Sequence, residues 1–203
     1  MKLVLLHGLG QTPAAWDAAA AALPGGVDCL CPDLTVCQPS YAALYQAVDG
    51  FCRDVREPFH LCGLSLGGVL ALHYAIGHPE AVRSLTLIGA QYKMPGTLLR
   101  FQNAVFRLAP AAAFRNTGFS REGMIRLTRS MLALNFEGDL SHVACPALIL
   151  CGERDRANRT AARQLAERIP RARLTLLPGA GHEVNLDAPE ALARELGEFL
   201  AGI

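Results

Sequence analysis

Three residues of the types that nucleophilic catalysis combines, a serine, a histidine and an aspartate, stand far apart along this sequence. Ser65 lies in the run Gly-Leu-Ser-Leu-Gly-Gly, and Asp155 and His182 each follow a later apolar stretch. A serine hydroxyl is a weak nucleophile until a nearby base takes its proton, and a third group must orient that base. The sequence therefore predicts Ser65 as nucleophile, His182 as base and Asp155 as acid.

The glycines around Ser65 predict a sharp turn between a strand at residues 59–62 and a helix at residues 66–76. Such a turn strains the backbone of its middle residue, and its neighbours must lack side chains because strand and helix approach closely. The turn exposes the serine hydroxyl at the carboxyl edge of the sheet, where open α/β sheets bind ligands. The amide of Leu66 then lies at a helix N-terminus, where its partial positive charge stabilises an oxyanion.

Asp155 and His182 are expected at the same edge, because each follows the end of a predicted parallel strand. Glu153 is the nearest alternative acid, although it lies two residues closer to the strand, and Asp139 is a weaker one. The remaining loop and core histidines are expected to be solvated or to line the core. These are His60, His73, His78 and His142.

A second oxyanion donor is predicted in the run His7-Gly8-Leu9-Gly10, which follows the first strand. A glycine loop at this place can aim the amide of Leu9 at the oxygen that Leu66 reaches, which gives the two donors of an oxyanion hole. The alternative is a plain glycine turn. Trp16 is expected to pack under this loop rather than to contact substrate.

Short apolar runs alternate with helical patterns along most of the chain, which predicts an α/β fold with a parallel sheet between helices. The six predicted strands span residues 3–6, 27–31, 59–62, 84–89, 147–151 and 173–177. The predicted helices around them span residues 17–23, 40–52, 66–76, 160–168 and 189–201, with Ser40 as an N-cap.

Residues 91–142, named the cap segment from here on, interrupt this alternation. They contain no clear strand and two helical stretches, at 98–114 and 121–134. Because fifty residues are too many for a plain connection, we expect a helical cap inserted into a single domain over residues 1–203. The cap segment holds 7 Lys/Arg and 3 Asp/Glu, a balance of +4 against −3 elsewhere. This charge is either a solvated surface or a device that attracts an anionic acyl substrate.

The composition is that of an ordinary globular protein, with 51% hydrophobic and 18% charged residues and a net charge of +1. The chain lacks the excess of basic residues that is typical of nucleic-acid-binding proteins. No apolar stretch is long enough for a membrane helix. The apolar run at the start is too short for a secretory signal. The seven cysteines lack metal-site spacing and favour a reducing, cytoplasmic setting. The oligomeric state is left open between monomer and homodimer.

The motifs together resemble the α/β-hydrolase superfamily, and more narrowly its small bacterial esterases, enol-lactonases and C–C hydrolases. They are His7-Gly8-Leu9-Gly10, Gly63 to Gly68, His78-Pro79-Glu80, Gly152-x-x-Asp155, Gly181-His182 and Pro189-Glu190. The resemblance implies a three-layer fold, a triad of Ser65, Asp155 and His182, and oxyanion donors at Leu9 and Leu66. Two departures stand out. The family's leading antiparallel hairpin is expected to be absent, and the cap segment is short.

The expected activity is that of a serine hydrolase acting on a small carboxylic ester, thioester or lactone through an acyl-enzyme. Its partner is a small-molecule acyl substrate, and neither a metal nor an organic cofactor is required. Two alternatives stay open. One is a lyase, C–C hydrolase or perhydrolase on the same site, and the other is a signalling protein that binds a ligand on a hydrolase fold.

Overall fold

Six parallel strands form the centre of the protein in the computed structural model, which describes residues 1–115 and 117–203, apart from the side chains of residues 98, 101 and 111. The strands are β1 (Lys2–Leu6), β2 (Asp28–Leu30), β3 (Phe59–Leu64), β4 (Val82–Ile88), β5 (Ala147–Gly152) and β6 (Ala172–Leu177). Their order is β2-β1-β3-β4-β5-β6, and neighbouring strands pair in parallel throughout. The predicted α/β class and strand number are confirmed.

Eight α-helices in the described part of the chain surround or follow these strands. They are α1 (Asp17–Ala21), α2 (Tyr41–Asp54), α3 (Leu66–Gly77), α4 (Gly96–Leu108), α5 (Arg121–Ser130), α6 (Arg159–Arg168), α7 (Val184–Asp187) and α8 (Pro189–Ala201). Short 3₁₀ helices cover Pro13–Trp16, Leu34–Val36, Ala111–Phe114 and Leu140–His142. The Ser40 hydroxyl accepts a hydrogen bond of 3.3 Å from the amide of Ala43, as predicted for an N-cap of α2. None of the helices in the described ranges is long and apolar enough to cross a membrane.

The two faces of the sheet bury separate hydrophobic clusters, because side chains alternate along each strand. In β1, Leu3 and Leu5 pack with Trp16 and the apolar side of α8. Val4 and Leu6 point the opposite way and join the cluster of α2, α3 and α6. Helices on both faces therefore give the three layers expected of the fold.

The predicted helix over residues 98–114 is wrong in its extent. Helix α4 ends at Leu108, and Ala109 has an extended backbone with φ −69° and ψ 140°. Proline at position 110 explains the break, because a residue that precedes proline is disfavoured in helical conformation. The chain then resumes as a separate 3₁₀ helix, Ala111–Phe114.

The predicted helix over residues 121–134 is also too long, since α5 ends at Ser130. Beyond it the backbone pairs with residues that follow β4. The amide of Met94 donates to the carbonyl of Leu134, and the amide of Phe136 donates to that of Tyr92. These bonds satisfy backbone groups that a longer helix would have used internally. The short helix α7 was not predicted, because four residues carry too little periodicity.

Candidate active site

Ser65 occupies the sharp turn that joins β3 to α3. Its backbone has φ 53° and ψ −113°, which is a conformation that residues other than glycine rarely adopt. The amide of Ser65 donates a hydrogen bond of 2.8 Å to the carbonyl of Ile88 in β4, which helps to hold the turn in place. The strained residue therefore presents its hydroxyl at the carboxyl edge of the sheet.

The glycines of this turn are required by the close approach of α3 to the strands. A Cβ atom on Gly63 would lie 2.2 Å from the carbonyl oxygen of Gly67. A Cβ atom on Gly67 would lie 2.1 Å from the carbonyl oxygen of Leu6 in β1. Neither distance leaves room for a side chain, so helix and sheet reach this separation only with glycine at both positions.

The structure brings Ser65, His182 and Asp155 together at this edge. The Nε2 atom of His182 lies 3.0 Å from Oγ of Ser65, and its Nδ1 atom lies 2.7 Å from Oδ2 of Asp155. The carboxylate is buried, whereas the imidazole is partly exposed. With the proton on Nδ1, the imidazole donates to Asp155 and its Nε2 is free to accept the serine proton.

Opposite pKa shifts couple the carboxylate and the imidazole. The hydrogen bond to Asp155 raises the pKa of His182 above its ordinary value, although burial acts in the opposite direction. Burial opposes ionisation of Asp155, but hydrogen bonds from His182 and Asn158 outweigh it and hold the pKa of this carboxyl below its usual range. The carboxylate is thus ionised near neutral pH and stabilises a protonated imidazole.

Asn158 is a residue of the site that the sequence did not indicate. Its Nδ2 group donates to both oxygens of Asp155, at 2.9 and 2.8 Å, and its Oδ1 accepts a hydrogen bond of 2.8 Å from Nε2 of Gln91. Asn158 is buried, and both amides line the same cavity as Ser65. No sequence pattern joins Gln91 to Asn158, because they are 67 residues apart and meet only in the folded chain.

Gly89, at the end of β4, makes room for the pair formed by Asp155 and His182. Its φ is 53°, and a Cβ atom on it would lie 3.1 Å from Nδ1 of His182 and 3.2 Å from Oδ2 of Asp155. Both the backbone conformation and the space favour glycine at this position. The sequence contained a usable signal here, since a glycine directly follows a strand at the catalytic edge.

Leu9 and Leu66, the predicted oxyanion donors, line the cavity beside Ser65. Leu66 is the first residue of α3, where amides have no acceptor within the helix. The loop that carries Leu9 is fixed by Gln11, whose Oε1 accepts hydrogen bonds from the amide of Gly8 and from Nδ2 of the fully buried Asn185. These contacts attach the loop after β1 to the segment that follows His182.

The alternative acids point elsewhere. The carboxylate of Glu153 accepts a hydrogen bond of 3.0 Å from the amide of Gly179, and Asp139 lies 3.7 Å from Nδ1 of His142 on the surface. His7 is buried, which lowers its pKa, and its Nε2 accepts a hydrogen bond from the amide of Leu34.

The other histidines also have structural partners. The ring of His60 contacts the hydroxyl of Ser84, that of His73 contacts the hydroxyl of Tyr41, and that of His78 lies 3.3 Å from Asp49. Trp16 is fully buried in the cluster beneath β1.

A cavity of about 800 Å³ opens above the hydroxyl of Ser65, between the sheet edge and the cap segment. Its walls are mainly apolar, and α4 and α5 contribute much of them. Among the described side chains from this segment are Met94, Leu99, Val105, Phe106, Phe114, Met124 and Met131. The description of residues 91–142 as a cap within a single domain stays a prediction.

The fold agrees with comparisons to known proteins. A profile of the alpha/beta hydrolase family matches residues 3–195. The chain belongs to that family. This hydrolase is 27% identical to the pimeloyl-[acyl-carrier protein] methyl ester esterase of Aromatoleum aromaticum, over 98% of each chain. It is 22% identical to the monoacylglycerol lipase ABHD6 of Bos taurus, over 100% of this chain and 76% of that one.

A solved structure extends the comparison to three dimensions. The enol-lactonase from Burkholderia xenovorans LB400 superposes on this hydrolase with a TM-score of 0.85, at 19% identity, over 98% of this chain and 91% of the other. At that identity the likeness shows the shared fold. The predicted family is therefore confirmed, and the protein is an enzyme of the alpha/beta hydrolase type.

Proposed function

We propose that this hydrolase is a serine esterase that cleaves a small carboxylic ester, thioester or lactone through an acyl-enzyme. The observation that carries the proposal is the continuous series of short contacts from Asp155 through His182 to Ser65. Two relatives support the ester class, because their names describe a methyl ester esterase and a monoacylglycerol lipase.

In the proposed mechanism, Oγ of Ser65 attacks the substrate carbonyl while Nε2 of His182 takes the hydroxyl proton. The carbonyl π electrons move to oxygen and form a tetrahedral oxyanion. The imidazolium then gives its proton to the leaving alcohol as the carbon–oxygen bond breaks. Water, deprotonated by the same imidazole, attacks the acyl-enzyme, releases the acid and restores the serine hydroxyl.

Asp155 and the two backbone amides have supporting roles in this scheme. Asp155 holds the proton of His182 on Nδ1 and stabilises the charged imidazole, consistent with the raised pKa of that histidine. The amides of Leu9 and Leu66 donate to the oxyanion, and the position of Leu66 at the start of α3 adds the partial positive charge of a helix N-terminus.

Ester turnover by a Ser65→Ala variant tests the proposal. With p-nitrophenyl butyrate we expect kcat/KM to fall by at least about a thousandfold, because the nucleophile is lost while the cavity persists. Ser141→Ala is the matched control, since this serine is exposed and outside the site, and it should retain full activity. Full activity in Ser65→Ala would remove Ser65 from the mechanism. No turnover of any ester by the unaltered protein, despite labelling of Ser65 by a serine-directed reagent, would favour a lyase or perhydrolase.

A further inference from the structure

The cavity above Ser65 contrasts with the charge of the segment that covers it. Among the described lining residues, Asp155 and His182 are the ones with ionisable side chains, and both belong to the proposed triad. The other polar lining groups are neutral amides and hydroxyls. They are Ser65, Gln91, Gln102, Thr117, Thr128 and Asn158. His182 is thus the one side chain in this described lining that forms a cation, and it is bonded to Asp155 and Ser65.

The basic side chains of the cap segment lie on its outer surface instead. Six of its seven cations are exposed and outside the cavity lining, and the seventh, Arg121, is half-buried beside Glu122 at 3.2 Å. The exposed ones are Lys93, Arg100, Arg107, Arg115, Arg126 and Arg129. A carboxylate drawn into the apolar cavity would lose its hydration without gaining a cationic partner other than His182 of the proposed triad.

We infer that the site takes a neutral ester carrying an apolar chain of medium length, and disfavours an ester that carries a carboxylate at the far end of that chain. This inference rests on the proposed esterase function. A cavity of about 800 Å³ is far larger than an acetyl group requires and lies in the range of sites for much larger ligands. Each methylene that enters the apolar walls adds binding free energy until the cavity is filled.

Two sets of esters test the inference. Across p-nitrophenyl acetate, butyrate, hexanoate and octanoate, and in parallel across ethyl, butyl and octyl acetates, kcat/KM should rise along at least one series. The rise has an upper bound of about fourfold per methylene and should total at least about tenfold. The second set compares p-nitrophenyl hexanoate with mono-p-nitrophenyl adipate, called the hemiadipate here. Its acyl chain has the same number of carbon atoms but ends in a carboxylate. The neutral ester should be preferred by at least about tenfold.

A pair of tryptophan substitutions on α4 assigns the chain-length preference to the cavity. Leu99 lines the cavity, whereas Leu108 on the same helix is 88% exposed and lies outside the described lining. Leu99→Trp should lower the octanoate-to-acetate ratio of kcat/KM by about fivefold or more, because the larger side chain fills space the acyl chain needs. Leu108→Trp should leave that ratio unchanged.

The outcomes separate this inference from the proposed function. Ser65-dependent acetate hydrolysis with no chain-length gradient in either series, or with the hemiadipate preferred, would overturn the apolar substrate while leaving the esterase intact. Equal ratios in the Leu99 and Leu108 variants would also overturn it. Failure to cleave any ester of either set would instead count against the esterase proposal itself.

A second inference concerns Asn158, which stands at the N-cap position of α6 and yet makes no side-chain hydrogen bond to that helix. Asparagine at this position ordinarily caps the helix. Here the side chain turns to Asp155 instead. Because a carboxylate only accepts hydrogen bonds, the Nδ2 group must face Asp155, and Oδ1 then faces the Nε2 group of Gln91.

We propose that Asn158 is a positioning residue, which holds the carboxylate of Asp155 in the plane that the His182 ring requires. Its Nδ2 group also lies 3.2 Å from Nδ1 of His182. Both atoms carry hydrogen when the imidazole donates to Asp155, so this contact is not a hydrogen bond. Loss of the amide would free the carboxylate to rotate and would weaken its bond to His182.

Substitution by serine and by alanine separates positioning from helix capping. Serine can cap α6 but is too short to bridge Gln91 and Asp155 as asparagine does, so both variants should lose kcat by about tenfold. In both, the acidic limb of the pH profile of kcat/KM should move to lower pH, because a carboxylate that is no longer held in place stabilises the imidazolium less. Full activity in the serine variant, or an unmoved acidic limb in both, would overturn the positioning role.

Discussion

Protonation states decide which side chains of this protein are able to react near neutral pH. Burial raises the pKa of the Cys151 thiol to about 11, and the thiol of Cys145 is likewise raised to about 11. Both therefore stay protonated and unreactive. The pKa of His182 shifts in the direction that the proposed mechanism requires, because its bond to Asp155 favours the charged imidazole. In the proposed mechanism the serine hydroxyl, rather than either of these thiols, therefore acts as the nucleophile.

The raised pKa of His182 leads to a prediction about pH. The imidazole must be neutral to accept the serine proton, so kcat/KM should rise with pH and its acidic limb should have a midpoint above the ordinary histidine value of 6.5. Asp155→Asn removes the negative charge of the hydrogen-bond partner that contributes most to the raised pKa of His182. The midpoint should therefore move to lower pH, while kcat falls by about ten-thousandfold. Steady-state kinetics on p-nitrophenyl butyrate across pH measures both effects. An unshifted midpoint in that variant would contradict the coupling.

At the scale of secondary structure, the decisive feature is the contact between the start of α3 and the end of β1. Gly67 faces the carbonyl of Leu6 so closely that a methyl group has no space, and the strained turn at Ser65 depends on this approach. Gly50, in the interior of α2, differs because nothing lies within 4 Å of its added Cβ. Two helical glycines therefore have different structural roles.

Alanine substitutions at these two glycines should change stability in opposite directions. Gly67→Ala forces α3 away from β1 and should lower the free energy of unfolding by about 1–3 kcal/mol. Gly50→Ala should raise it by about 0.5–1 kcal/mol, because alanine loses less backbone entropy than glycine in a helix. Urea denaturation followed by circular dichroism measures both. Equal effects at the two positions would refute the packing argument.

The sequence predicts those structural features that depend on neighbouring residues, and it does not predict those that depend on contacts between distant residues. Six strands and the turn at Ser65 were predictable, because apolar runs and glycines act on their immediate neighbours. The ends of α4 and α5 were missed, since Pro110 and the backbone pairing of Tyr92 with Phe136 override the local helical pattern. Asn158 was not predictable, because its role depends on contacts between distant parts of the chain.

On the scale of the whole molecule, the charge is divided between a cap segment at +4 and a remainder at −3. The exposed position of most cap cations favours a solvated surface over a device that attracts anions. Charges on such a surface are screened within about 10 Å at 0.1 M ionic strength. The long-range field is therefore expected to contribute little to substrate capture.

Salt dependence tests this division of charge. Between about 0.02 and 0.5 M sodium chloride, kcat/KM for p-nitrophenyl hexanoate and for the hemiadipate should each change by less than about twofold. The neutral ester serves as the control for general effects of salt on the enzyme. A steep fall confined to the hemiadipate would restore the hypothesis that the cap segment attracts anionic substrates.

The most direct test of the proposed triad is covalent labelling with a fluorophosphonate, followed by peptide mass spectrometry. Ser65 should carry the phosphonyl group at one-to-one stoichiometry, because its hydroxyl lies 3.0 Å from the imidazole that activates it. His182→Ala should abolish labelling at the same reagent concentration, and Ser141 should stay unmodified in every variant. Labelling of a different residue, or undiminished labelling of Ser65 without His182, would contradict the account.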